Sequence, residues 1–300
     1  MGKVHKPSER WSRRPFVFRR ATESDRPDER RMTFFEHLEE LRQRLKVVIV
    51  SFVVAFIAML LVGIQPVTLG RTTIPLPVPT VESGQTIPAQ LIRLLYSSLV
   101  QGSAQLTTLS GPEAIVVQFK VAMFLAAVLI SPLSTYEFWR FVAPALKPVE
   151  RRLIMRITVP VTALFLTGVV VSLVVVLPFT FPFLYSFASA LGATPLLQLD
   201  GFLDFVLWFS LAFGLAFELP VVMYGLSYLG LVAPEFWKKN WRYATIAIFV
   251  FGAVITPDGS GITMMLVSIP MLFLYAAGYV AVVRRAKHVA RSHMVSAKSS

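Results

Sequence analysis

ITVPVTALFLTGVVVSLVVVLPFTFPFLYSFASALGATPLLQL, residues 157–199, runs for 43 residues without a charge. A membrane-spanning helix needs about 20 apolar residues, within a range of roughly 17–25. The run therefore holds either one span with an apolar loop or a hairpin of two spans. Pro178 and Pro182 in LPFTFPF stand near its middle, where a missing N–H and a ring clash break a helix. The reading adopted is one span over 157–178, then an outer loop with the turn-like LGATP (191–195) and room for an interfacial helix.

Other charge gaps supply the remaining spans. Residues 47–70, 121–136, 205–217, 219–234, 243–257 and 259–283 carry no charge, and only Glu218 interrupts the pair in the middle. Six spans follow, over about 46–64, 118–138, 155–178, 203–229, 243–256 and 262–283. The fold class is all-α, a polytopic membrane protein with six helices in a curved bundle. Bends are expected where Pro132, Pro160, Pro220 and Pro270 fall inside or near the ends of spans. The fifth span has only 15 uncharged residues, about 22 Å of helix against a hydrocarbon core of about 30 Å. It either thins the bilayer or sits against protein, unless end charges simply snorkel.

Basic residues test that count. Residues 1–46 hold 13 Lys/Arg, 139–156 hold 5, 230–242 hold 3 and 284–300 hold 5. With six spans these segments share one side, and only Arg71, Arg93 and the span-edge Lys120 remain elsewhere. A seventh span would put Lys238, Lys239 and Arg242 on the wrong side, so both termini are expected in the cytoplasm. The net charge of +12 is then orientation, not nucleic-acid binding.

Composition agrees. Of 300 residues 55% are apolar and 15% charged, where a soluble chain carries about 25% charge, and mean hydropathy is +0.65. The chain has no cysteine, which excludes a disulfide scaffold, thiol catalysis and Cys-ligated metal. Residues 1–31 read as a disordered basic tail and 284–300 as a short basic tail. Residues 65–112 form a long outer loop. Within it PAQLIRLLYSSLV (88–100) reads as an interfacial helix, with Leu91, Leu94, Leu95 and Leu99 on one face.

Enzymatic machinery is poorly supported. The four histidines lie outside the spans, and the sequence holds no H-E-x-x-H, nucleotide-binding glycine loop or G-x-S-x-G elbow. No cofactor and no metal site are expected. Four stretches carry other chemistry. TFFEHLEELRQRLK (33–46) opens with capping-box spacing at Thr33 and Glu36, puts Phe34, Leu38, Leu41 and Leu45 on one stripe, and sets Glu40 four residues before Arg44. YEFWRFVAPALKPVERRL (136–153) is aromatic, proline-rich and interfacial, and ends near Glu150, a carboxylate suited to a helix start. Glu218 in FGLAFELPVVM lies mid-span, where a carboxylate is costly. It is a proton relay, an ion site, a partner contact, or a hydrogen-bonding group within the bundle. ITPDG (255–259) has turn chemistry at Pro257, Asp258 and Gly259.

HLEELRQRL (37–45), FWRFVAPALKPVERR (138–152), FGLAFELPV (213–221), TPDG (256–259) and SIPM (268–271) together resemble the TatC family, receptor subunits of the twin-arginine protein translocase. The resemblance covers roughly 33–283, apart from most of the loop at 65–110. It implies a non-enzymatic receptor for signal peptides with paired arginines, in a multimeric complex with single-span TatA-type and TatB-type partners. Folded proteins would be exported across the cytoplasmic membrane on the proton-motive force. It implies a twin-arginine site at Glu40 and Glu150 with Phe141, Leu38 and Arg42. It also implies a partner-helix contact at Glu218 beside Pro220, and an acid of the last outer turn at Asp258. A guanidinium is planar and suited to bidentate carboxylate pairing, so lysine is a poor substitute there. The sequence departs from the family where Ile115 and Val116 follow Glu113-Ala114, where T-P-D-G replaces T-P-P-D, and where Ala276 follows Tyr275. The rival reading is a proton- or ion-coupled small-solute transporter built around Glu218.

Overall fold

The structure is a computed structural model that describes residues 34–69, 72–80, 82, 84–100, 104–142, 151–256 and 261–299. The helix expected from the stretch at 33–46 runs straight into the first span as α1 (Phe34–Leu61). A hairpin follows, β1 (Val62–Leu69) against β2 (Thr72–Pro79), antiparallel, with Pro66 opposite Pro75. Then come α2 (Ile87–Leu99), β3 (Gln105–Thr107) and α3 (Glu113–Val142). The second half has α4 (Arg151–Val171), α5 (Leu177–Ala190), β4 (Leu196–Gln198), α6 (Leu199–Phe217), α7 (Leu219–Tyr228), α8 (Pro234–Lys239), α9 (Trp241–Ile255) and α10 (Gly261–Ser299). Among the described residues five stretches are long and apolar enough to cross a membrane, and α9 is a shorter apolar helix. The protein is thus a mostly helical multi-pass membrane protein. We call the end where α1 begins the near end and the opposite one the far end.

The long uncharged run corrects the reading of its prolines. Helix does not stop at 178: α4 passes into α5 through a π-helical turn at Ser172–Val176, and Leu177 N–H donates to Ser172 O. Pro178 falls in the first turn of α5 and Pro182 inside it, with Val176 and Leu177 still in helical backbone. A π turn accommodates an irregular bonding register without ending the helix. The apolar stretch Thr158–Ala190 is one 33-residue unit, about 50 Å long.

Of the four other prolines expected in or near spans, three also sit within continuous helix. Pro132, Pro160 and Pro270 lie inside α3, α4 and α10. Pro132 cannot bond the carbonyl of Val128, but the Ser131 hydroxyl donates to it at 2.8 Å, a replacement donor of the kind that lets membrane helices carry proline. The fourth, Pro220, accompanies a break, the turn at Glu218 between α6 and α7.

Close backbone approaches fix two helix pairs. A Cβ on Gly168 of α4 would stand 2.8 Å from Gly214 Cα of α6. One on Gly278 of α10 would stand 2.9 Å from Pro220 Cα of α7. Small residues let membrane helices pack this tightly where lipid supplies no hydrophobic drive. Between them α6 builds a ladder of rings, Phe205, Phe209, Phe213 and Phe217, with centroids 5.2–5.6 Å apart at four-residue spacing.

Far-end segments form a cap. The predicted helix at 88–100 is present as α2, but it is packed into the core: Leu95 and Leu99 are buried against the cluster that holds Phe181 and Tyr185 of α5, while Leu94 points away and is exposed. β3 and β4 pair in parallel. The hairpin β1–β2 has no precursor in the sequence reading, because its prolines resemble loop composition. The tail expected at 284–300 is helical as far as Ser299. Residues 1–31, Thr33 and the turn residues Pro257, Asp258 and Gly259 lie outside the described residues.

Candidate functional site

Two helix ends meet at the near end. The first three turns of α1 lie beside the last turns of α3, which places HLEELRQRL next to YEFWRF. Arg44 joins them. Its guanidinium pairs with Glu40 one turn earlier and donates from Nη1 to Glu137 Oε2 of α3 at 3.0 Å. Glu137 also lies 3.7 Å from Arg140 Nη1. Side-chain exposure is 16% for Arg44, 18% for Glu40 and 10% for Glu137, so these charges stabilise each other more than a solvated pair would.

An aromatic contact completes the junction. The His37 ring stacks on Phe141, with centroids 4.3 Å apart and planes 17° from parallel. His37 Nδ1 stands 4.0 Å from Glu40 Oε2. That oxygen is buried and accepts no hydrogen bond among the described residues, while Oε1 takes the Arg44 contact. Glu40 therefore presents one occupied oxygen and one open one. Around this polar pair Phe35, Leu38, Leu41, Leu45 and Phe138 expose apolar surface.

Glu40 and Phe141 are thus brought to one place, with Leu38 exposed on the same helix. Arg42 pairs instead with Glu39 at 3.4 Å, nearly opposite Glu40 around the helix. Glu150 lies outside the described residues. Glu137 and His37 were not singled out from the sequence. A signal for Glu137 existed: it lies one helical turn before Phe141, in a stretch already marked as rigid.

Glu218 sits at the break between α6 and α7, where its carbonyl accepts from Val221 and Val222 N–H at 3.0 Å. Pro220 follows in the first turn of α7, at the close crossing with Gly278. A second polar cluster lies at the far end. Lys120 Nζ bonds Asp200 at 2.6 Å and Asp204 at 2.8 Å. Glu113 accepts from the backbone N–H groups of Leu109 at 2.6 Å, Ser110 at 3.2 Å and Asp200 at 3.1 Å. Asp200 and Asp204 are four residues apart on one helix, a spacing that sets them on one face and that the sequence reading passed over. Among the described residues no group of three or more His, Asp or Glu is arranged to hold a metal ion.

Comparison with known proteins gives one consistent answer. The family model for TatC, described as Sec-independent protein translocase protein, matches residues 36–270. A Sec-independent protein translocase protein TatC from Cenarchaeum symbiosum is 37% identical over 82% of this chain and 93% of its own length. The TatC of Carboxydothermus hydrogenoformans is 32% identical over 83% of this chain and 91% of its own. A crystal structure described as the twin-arginine translocase receptor TatC superposes with a TM-score of 0.64 at 31% identity, covering 82% of this chain and 97% of that one. These relationships do not favour the solute-transporter alternative. The chain belongs to the TatC family of Sec-independent protein translocase proteins.

Proposed function

We propose that the near end is the docking site for twin-arginine signal peptides and that it faces the cytoplasm. The supporting observation is the junction of α1 and α3, where one buried carboxylate oxygen of Glu40 has no hydrogen-bonding donor among the described residues and lies beside an aromatic face. A guanidinium answers both features, because it pairs with carboxylates in its plane and stacks on rings with its face. Exposed Leu38, Leu41 and Phe138 offer apolar surface to the hydrophobic part of a signal. Glu150 is the second carboxylate of the site in this reading, while Arg42, on the other side of α1, pairs with Glu39 and not with Glu40. Binding moves no covalent bond, so the protein acts as a receptor and not as an enzyme.

The same proposal sets the protein in the cytoplasmic membrane with both termini inside, in keeping with the basic residues at 1–46, 139–156, 230–242 and 284–300. Glu218 and Pro220, at the α6–α7 break, are the contact for a single-span partner helix of the TatA or TatB type. Asp258 belongs to the far-side turn. Export of folded cargo draws on the proton-motive force through the assembled complex.

The test is binding of a labelled twin-arginine signal peptide to the purified full chain, against the same peptide with paired lysines. The arginine peptide is expected to bind at least about tenfold tighter, the worth of one charge-assisted bond at roughly 1.5 kcal/mol. Glu40→Ala and Glu150→Ala are each expected to remove the preference. Equal affinity for both peptides in the unaltered protein would sink the reading.

A further inference from the structure

We infer that His37 occupies the seat of the incoming arginine: its imidazole lies on the Phe141 ring and against Glu40 Oε2, the two surfaces that a signal guanidinium takes over when it binds. The inference rests on the signal-peptide reading above and adds a residue that selects what enters. Three observations carry it. His37 stacks on Phe141 with centroids 4.3 Å apart and nearly parallel planes. Its Nδ1 is 4.0 Å from Glu40 Oε2, too far for a hydrogen bond but close enough to fill the space before that oxygen. Glu40 Oε2 is buried and has no hydrogen-bond partner among the described residues, whereas the other oxygen is engaged by Arg44.

An imidazole and a guanidinium are both flat and similar in thickness, so one replaces the other on a ring face without moving the backbone. Their directions differ. A guanidinium carries five N–H groups around its edge and can reach a carboxylate while lying flat on an aromatic ring. His37 satisfies the stack but not the carboxylate. The exchange therefore releases a histidine that is already 38% exposed and supplies Glu40 with the donor it lacks. An ammonium gains less, because it has no flat face to set against Phe141. Meanwhile Arg44 stays anchored to Glu137 at 3.0 Å and holds the Glu40 carboxylate in place, which makes Arg44 and Glu137 positioning residues.

Two substitutions at one position separate this from a merely structural stack. His37→Ala empties the seat. The twin-arginine peptide is expected to bind the full chain about threefold tighter, the worth of one exposed ring contact, with little change for the paired-lysine peptide. His37→Phe fills the seat with an apolar ring that has no polar edge to return to water and holds the Phe141 face more firmly, and the arginine peptide is expected to bind about threefold weaker. A structural role predicts the reverse order, with Ala weakening binding and Phe restoring it. Absence of either expected shift, or equal tightening of both peptides in His37→Ala, overturns the inference. Failure of the parent reading shows differently: Glu40→Ala in the otherwise unaltered chain would then leave the arginine peptide's affinity unchanged.

Discussion

Arg44 is the residue on which the near end depends. It links α1 to α3 through carboxylates on both helices, and all three side chains are largely covered. Lysine in its place keeps the charge but offers a single ammonium where a forked guanidinium reaches two partners. Arg44→Lys is expected to cost about 1–2 kcal/mol of stability, as the loss of one charge-assisted hydrogen bond does. Arg44→Ala costs more, because Glu40 then loses its arginine partner and Glu137 keeps only the longer contact with Arg140. Thermal unfolding of the purified variants checks both, and an Arg44→Lys midpoint equal to the parent's would remove the bridging role. At the far end Glu113 has the corresponding part. One carboxylate satisfies backbone N–H groups of the loop before α3 and of the first turn of α6. Glu113→Ala leaves three donors without that acceptor and is expected to lower the unfolding midpoint, while Glu113→Gln, which keeps one oxygen, lowers it less. Unchanged midpoints in both variants would mean that water replaces the carboxylate.

Between the two ends, helices carry irregularities that the local sequence supports. Ser131 donates to the carbonyl that Pro132 leaves without its helical partner. Ser131→Ala is expected to cost about 0.6–2 kcal/mol, the range for side-chain hydrogen bonds within membrane bundles. Pro132→Ala restores the N–H, so Ser131→Ala made in that background is expected to cost markedly less. Equal cost in both backgrounds would show that the hydroxyl does not stand in for the amide. The Gly168–Gly214 crossing has no such flexibility, because an added Cβ meets backbone at 2.8 Å. Gly168→Val forces α4 and α6 apart and is expected to cost about 1–3 kcal/mol or more. These details explain what the sequence did and did not make legible. The polytopic helical class was readable, since a gap between charges is a property of the segment itself. The continuation of α4 into α5 was not, because a proline's cost depends on the bonding register around it, and the π turn at Ser172–Val176 lies upstream in residues that look like ordinary Val and Leu. Glu40 and Phe141 were singled out only through the resemblance of their stretches to the family, and nothing in either stretch showed that His37 would touch both. Glu137 was not singled out, because its local partner Arg140 suggests a surface pair and its contact with Arg44 spans 93 residues of sequence.

At the scale of the whole molecule the apolar helices cannot all match one bilayer. α9 has 15 residues, about 22 Å, whereas Thr158–Ala190 extends about 50 Å. A hydrocarbon core of about 30 Å leaves the first about 8 Å short and the second about 20 Å long. Tilt absorbs part of a long helix's excess, and local thinning favours a short one. The far-end cap indicates what happens to the rest: Phe181 and Tyr185 of α5 are buried in the cluster that contains Leu95 and Leu99 of α2, so protein covers the end of the long helix. The last turns of α5 are then expected to stand clear of lipid, and the absence of cysteine from the chain makes this directly measurable. Ser189→Cys, at the exposed end of α5, is expected to react with a membrane-impermeant maleimide, and Val174→Cys, exposed within the π turn, is not. On the proposed orientation, in which the near end with its basic segments faces the cytoplasm, the Ser189→Cys label is expected from the outside in intact cells. Protection of Ser189→Cys from both sides would place α5 inside the bilayer at a steep tilt, and labelling only after the cell is opened would reverse the orientation.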